Sequence, residues 1–147
     1  MQVKELMTKS VKTIEAGATL QEAAQMMREL DVGVLPVSNG GKPTGMLTDR
    51  DIVVRALADS RDPTQTCVQD IITPRVCSIL EDRDVQEAAE VMAREQVRRL
   101  LVVDEHRRAV GILSLGDLSR GSAETAAETA MEGVARPTKN PVQRAHP

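Results

Sequence analysis

Apolar and polar positions change period along this chain in a fixed order. Val11-Lys12-Thr13-Ile14 alternates, as a short half-buried strand does. From Leu20 the spacing becomes helical: Leu20, Ala23, Ala24, Met27 and Leu30 share one face, while Gln21, Glu22, Gln25, Arg28 and Glu29 lie mainly off it. Thr19-Leu20-Gln21-Glu22 reads as the capping box of that helix. Gly33-Val34-Leu35-Pro36-Val37 is a continuous apolar run, hence a buried strand, and its proline suggests an edge or a break in the ladder. The turn Asn39–Pro43 closes a hairpin onto Thr44–Thr48, and a second helix follows from Asp49 to about Ala58. Val3–Met7 is a short lead-in.

The same order returns 65 residues later. Residues 3–37 laid on 68–102 give 12 identities in 35 positions, among them Gln21/Gln86, Glu22/Glu87, Ala23/Ala88, Ala24/Ala89 and Met27/Met92. Asp84 takes the place of the Thr19 cap. One additional residue in the second hairpin turn moves the offset to 66, and Gly45/Gly111, Leu47/Leu113, Thr48/Ser114 and Asp51/Asp117 then fall in register. The chain divides into a first repeat (1–59), a polar linker (60–66), a second repeat (67–121), and a marginal helix with a flexible tail (122–147). A three-stranded sheet with helices on one side leaves its other face bare, so the two repeats are expected to pack sheet to sheet about a pseudo-twofold axis in an α/β fold.

Composition narrows the chemistry. The chain has 147 residues, a net charge of −3 and no Phe, Tyr or Trp. The core must be aliphatic, and nucleic-acid binding by aromatic base stacking is excluded. The basic, proline-containing tail leaves nucleic acid an unfavoured partner. There is no membrane-length apolar run and no signal-peptide pattern, which makes a cytoplasmic protein the expectation. Cys67 and Cys77 lack metal spacing and read as small apolar residues. His106 and His146 have no second ligand at usable spacing, so no metal is expected. No catalytic triad, Walker loop or GxGxxG is present.

The chemistry concentrates at Gly45-Met46-Leu47-Thr48-Asp49-Arg50-Asp51 and its copy Gly111-Ile112-Leu113-Ser114-Leu115-Gly116-Asp117. Thr48-x-x-Asp51 has the spacing of a capping box, and so has Ser114-x-x-Asp117. The same carboxylate is also suited to accept both hydroxyls of a ribose, with Arg50 between them as a bidentate phosphate contact. Spacing alone favours the cap.

The repeat, its β-α-β-β-α order and the Gly-x-x-(Thr/Ser)-x-x-Asp ending resemble a CBS domain, and two in tandem resemble a CBS pair, or Bateman module. Gly45 to Ile52, Leu35-Pro36-Val37 and Val97-Arg98-Arg99-Leu100 carry the likeness, which covers roughly residues 1–121 and extends to small bacterial CBS-pair proteins of the hypoxic-response type. The resemblance implies a regulatory module without catalysis or cofactor, binding an adenosine compound (AMP, ADP or ATP), forming disc-like homodimers and acting on a protein partner. Alternatives are a structural dimerisation module, or another adenosyl ligand such as S-adenosylmethionine or NAD. Carried onto this chain, it implies a first site of Val11, Thr13, Ile14, Val34, Leu35, Pro36, Thr48, Arg50 and Asp51. There Asp51 holds ribose, Thr48 ribose or phosphate, and the apolar residues sandwich the base. A second, weaker site comprises Val76, Ser78, Ile79, Arg99, Leu100, Ser114 and Asp117, with Gly116 in place of the arginine and Leu101 in place of Pro36.

Overall fold

In the computed structural model, which describes residues 1–9, 11–72, 75–121 and 124–136, each repeat's central helix begins and ends as its sequence dictates. Helix α1 is the short lead-in Val3–Leu6, strand β1 is Thr8–Lys9 and β2 is Ile14–Glu15. Helix α2, Leu20–Leu30, starts on Thr19, whose Oγ1 accepts the Glu22 N–H at 3.2 Å. It ends at Asp31 in the left-handed region (φ 54°), with the Val32 N–H donating to the Met27 carbonyl, a Schellman closure. The second repeat repeats both devices in α4, Val85–Glu95: Asp84 caps it, and Gln96 (φ 54°) closes it with Val97 donating to Met92.

Strands β3 (Val34–Asn39) and β4 (Lys42–Thr48) are joined through Gly40 and Gly41, both at positive φ, as a two-residue hairpin turn requires. Helix α3 is Asp49–Ile52 and continues as a π-helical turn, Val53–Leu57, so the expected second helix is present over nearly its expected span but changes winding midway. A 3-10 turn, Val68–Asp70, precedes β5 (Ser78–Leu80). Strands β6 (Arg99–Val103) and β7 (Ala109–Ser114) and helix α5 (Leu115–Arg120) complete the second repeat. Helix α6, Glu124–Ala135, follows.

The elements assemble into two compact units whose phase differs from that of the repeats. One unit is Val11–Val76; the other joins residues 1–9 to the described residues from Cys77 onward. The lead-ins are therefore exchanged. Val68 donates its N–H to Ala18 and is fully buried in the core of the Val11–Val76 unit, with Ile14, Leu20, Ala23, Met27, Leu35, Val37, Leu47 and Ala56. Val3 donates to Arg83 and is fully buried in the other core, with Ile79, Val85, Met92, Leu100, Val102, Leu113 and Leu118. Strand β1, absent from the sequence reading, follows from this exchange: it pairs antiparallel with β7. The sheet orders are β2-β3-β4 and β1-β7-β6-β5.

Two readings are sharpened. Of the two readings of Pro36, the break in the ladder holds and the edge strand does not, because β3 lies between β2 and β4, with Pro36 opposite Met46. The repeat explains how proline fits there. Its counterpart Leu101 donates its N–H to the Cys77 carbonyl, which carries the β5–β6 ladder up to Ser78. By the 65-residue offset the matching bond would run from residue 36 to the Lys12 carbonyl, and proline has no N–H to give. The parallel ladder in the first repeat accordingly starts one residue later, at Ile14↔Val37. The second change concerns the helix face: Leu20, Ala23 and Met27 are buried, but Ala24 and Leu30 are exposed. In the second repeat Ala89, the counterpart of Ala24, is fully buried because α6 packs along α4 and α5.

The marginal helix expected within 122–147 is α6, Glu124–Ala135, which packs through small residues, Ala126, Ala127, Ala130 and Gly133. Its end is tied down by Gln96, whose Nε2 donates to the Gly133 carbonyl at 3.4 Å and the Arg136 carbonyl at 2.8 Å. Most of the tail expected to be flexible, residues 137–147, lies outside the described residues.

Candidate functional site

The strand pleat sorts the first set of site residues into two groups. Ile14, Leu35 and Leu47 point into the core of the Val11–Val76 unit and are buried there. Val34, Pro36, Met46 and Thr48 alternate with those core residues and lie on the other face of the sheet, with Val34 opposite Thr48 and Pro36 opposite Met46. Thr13, which precedes β2, is exposed, and Val11 is half-buried. The site side chains on one face are thus Val34, the buried Pro36 and Thr48; Ile14 and Leu35 are core.

Thr48 and Asp51 form the capping box that their spacing predicts. Asp51 N–H donates to Thr48 Oγ1 at 3.1 Å, and the Thr48 N–H donates to Asp51 Oδ2 at 2.8 Å. Asp51 is only 4% exposed, although α3 is a single turn. Burying a carboxylate costs stability unless hydrogen bonds compensate it, and the Thr48 N–H supplies one of them. Arg50 is exposed, and its backbone N–H donates to Asp49 Oδ1. Asp49 in turn donates its N–H to the Gly33 carbonyl at 3.0 Å. A Cβ on Gly33 would lie 3.0 Å from Asp49 Oδ2, so a side chain there would displace that carboxylate.

The second site keeps the box. Asp117 N–H donates to Ser114 Oγ at 3.1 Å, and the Ser114 N–H donates to Asp117 Oδ2 at 2.8 Å. Asp117 is 7% exposed. Its other oxygen accepts a very short bond from Arg120 Nη2. Gly116 makes room for this: a Cβ there would sit 3.3 Å from Arg120 Nη1. Arg120 was not among the site residues read from the sequence, although Asp117 and Arg120 at i, i+3 are neighbours on a helix surface. Arg99 is exposed, Ser78 is half-buried, and Ile79 and Leu100 belong to the core. Val76 is half-buried and ends the other unit.

Other groups offer less. Cys67 and Cys77 are half-buried. His106 is exposed in the β6–β7 turn beside Glu105, and His146 lies outside the described residues. Among the described residues no three His, Cys, Asp or Glu side chains group closely enough to hold a metal ion, and no helix is long and apolar enough to cross a membrane.

Residues 3–57 and 68–124 each match the CBS domain family model. The CBS domain-containing protein YhcV of Bacillus subtilis is 42% identical over 117 residues, 80% of this chain and 82% of that protein. Hypoxic response protein 1 of Mycobacterium tuberculosis is 35% identical over 135 residues, 91% of this chain and 94% of that protein. Among solved structures, Hypoxic Response Protein I with two coordinated zinc ions is similar at TM-score 0.71 and 36% identity, over 82% of this chain and 98% of that one. A CBS domain protein from Pyrobaculum aerophilum complexed with AMP gives TM-score 0.76 and 27% identity, over 88% and 100%. The CBS domain pair of protein MJ0100, in complex with 5′-methylthioadenosine and S-adenosyl-L-methionine, gives TM-score 0.71 and 30% identity, over 82% and 94%.

Proposed function

Because this chain belongs to the CBS-domain family, we propose that it is a regulatory module that binds an adenosine nucleotide of the AMP, ADP or ATP type on the Val11–Val76 unit. It catalyses no reaction of its own and passes the ligand signal to a protein partner in the cytoplasm. The observation that carries the ligand assignment is that Pro36 and Thr48, whose box holds the buried Asp51, lie on the same face of one sheet. Proline at position 36 removes the ladder donor opposite the Lys12 carbonyl and sets a buried apolar ring on the sheet face that also carries Val34. An adenine needs an acceptor for its amino group and apolar walls for its faces, and this chain has no aromatic residue to supply the walls.

In this reading Asp51 accepts from the ribose hydroxyls, Thr48 contacts ribose or phosphate, and Arg50 meets phosphate. Val11, Thr13, Val34 and Pro36 line the base, while Ile14 and Leu35 support it from the core side and through their backbone. The second set, Val76, Ser78, Ile79, Arg99, Leu100, Ser114 and Asp117, forms a weaker site. Leu101 keeps the ladder bond that Pro36 lacks, and Arg120 already engages Asp117. The AMP complex of the Pyrobaculum aerophilum protein supports a nucleotide. The ligands of the MJ0100 pair favour S-adenosylmethionine as the second reading.

Isothermal titration of the chain with AMP, ADP, ATP, S-adenosylmethionine and NADH separates these readings. A nucleotide titrating more tightly than S-adenosylmethionine is the expected result. Saturable binding of S-adenosylmethionine alone selects the second reading, and no heat from any of the five at millimolar concentration overturns both. A homodimer is part of the proposal and does not depend on which ligand binds.

A further inference from the structure

The arginine beside each box changes place between the repeats. In the first it is Arg50, immediately before Asp51, and position 54 is valine. By the 66-residue offset these positions are Gly116 and Arg120 in the second repeat. The two placements exclude each other. A Cβ at position 116 would lie 3.3 Å from Arg120 Nη1, so a side chain there would crowd the guanidinium off Asp117. A further cation stands across the hairpin: Arg99 is the cross-strand partner of Ser114 and is exposed, where the first repeat sets Val34 opposite Thr48.

This exchange alters what the second box can accept. Asp117 is 7% exposed, and its own chain engages both carboxylate oxygens: Oδ2 accepts the Ser114 N–H at 2.8 Å and Oδ1 accepts from Arg120 Nη2. A ribose entering the box donates its hydroxyls to the same carboxylate. It therefore competes with an ionised donor, whose hydrogen bond is roughly twice as strong as a neutral one. An uncharged nucleoside offers the displaced guanidinium nothing in return.

A phosphorylated nucleoside does. The Arg120 side chain is 74% exposed on the last residue of α5, so it can turn from Asp117 without unpacking the core. Its guanidinium presents five N–H donors in a fork that fits phosphate. A 5′-phosphate is joined directly to the ribose, which brings it within reach of the side chain that the ribose displaces. The guanidinium then exchanges a carboxylate for a phosphate, and Asp117 is left to the ribose.

We propose that Arg120 makes the second box selective for phosphorylated over uncharged nucleosides, by holding Asp117 until a ligand supplies a phosphate in exchange. This rests on the assignment of ribose to the two boxes. A purely structural i, i+3 pair would leave ligand preference unmoved, so preference is the quantity to measure. Calorimetric titration of the full chain carrying Asp51→Asn, which weakens the first box, with AMP and with adenosine reads the second box. AMP should bind this parent more tightly than adenosine does. Adding Arg120→Ala should tighten adenosine binding by about fivefold or more and weaken AMP binding, so that the preference collapses. Arg120→Gln keeps a neutral donor beside the buried carboxylate; it should move both affinities in the same directions by less, with a melting temperature close to the parent's. The inference is overturned if AMP does not bind the parent more tightly than adenosine, or if adenosine binding fails to tighten in both Arg120 variants. Should the unmodified chain bind AMP while the second box behaves in either of these ways, this inference alone falls. Binding of neither ligand by the unmodified chain overturns the nucleotide reading and this inference with it.

Discussion

Single carboxylates organise the local structure here, and they differ in what they do. Asp84 is an exposed cap whose oxygen accepts the Gln86 N–H, which holds its carboxyl below the usual carboxylate range. Asp104 is lowered likewise, first by the Arg108 backbone N–H and also by that of His106. A group whose pKa is depressed by folding contributes stability that is complete above its unfolded value, near 3.9, and is lost as pH falls through the folded value. Urea midpoints followed from pH 6 down to 2 should therefore drop, and Asp84→Asn, which keeps a good cap, should make that drop shallower. An equally steep drop in the variant would assign the acid sensitivity elsewhere. Asp51 and Asp117 have cap spacing too, and sequence showed that much. It did not show how deeply they are buried, because burial depends on what the short helices lean against. Nor did spacing show that Arg120 reaches Asp117, since i, i+3 neighbours on a helix face water as often as each other.

At the scale of elements, periodicity located α2, α4, the hairpins and the short second helices, because each carries its own cap and turn chemistry. Three features depend on a distant segment and were not legible. Strand β1 exists only through β7, the central place of Pro36 in its sheet depends on β2 pairing with β3 just beyond it, and Ala24 and Ala89 are identical in sequence but differ in burial because α6 covers one. Helix α6 shows why its own pattern was weak: its buried face is made of alanine and glycine, which hydropathy barely registers. Gly133 tests that account. Alanine there should gain about 1 kcal/mol of helix propensity. Overpacking against Ala93, however, costs about 1–3 kcal/mol. A net loss in chemical denaturation is expected for Gly133→Ala, and a net gain would mean that α6 does not seat against α4 as described.

Over the whole molecule, each unit is completed by the other repeat's lead-in, so that Val3 and Val68 are both fully buried away from their own repeats. A fully buried valine contributes about 1.5–3 kcal/mol, enough to make these exchanged segments part of each core rather than linkers. The same duplication provides two Asp-containing boxes and lets one diverge from the other. Pro36 and Arg50 mark the first; Leu101, Gly116 and the Arg120–Asp117 bond mark the second. The central claim is that Asp51 holds a nucleotide ribose besides capping α3. Titration of AMP into Asp51→Asn and Asp117→Asn, beside the unmodified chain, tests it most directly, because asparagine keeps the cap and removes the charge. A charge-assisted hydrogen bond contributes about 1.5–3 kcal/mol, roughly tenfold or more in affinity. The account predicts that loss for Asp51→Asn, with the melting temperature nearly unchanged, and little effect on the tighter binding from Asp117→Asn. AMP binding that survives Asp51→Asn undiminished would contradict it.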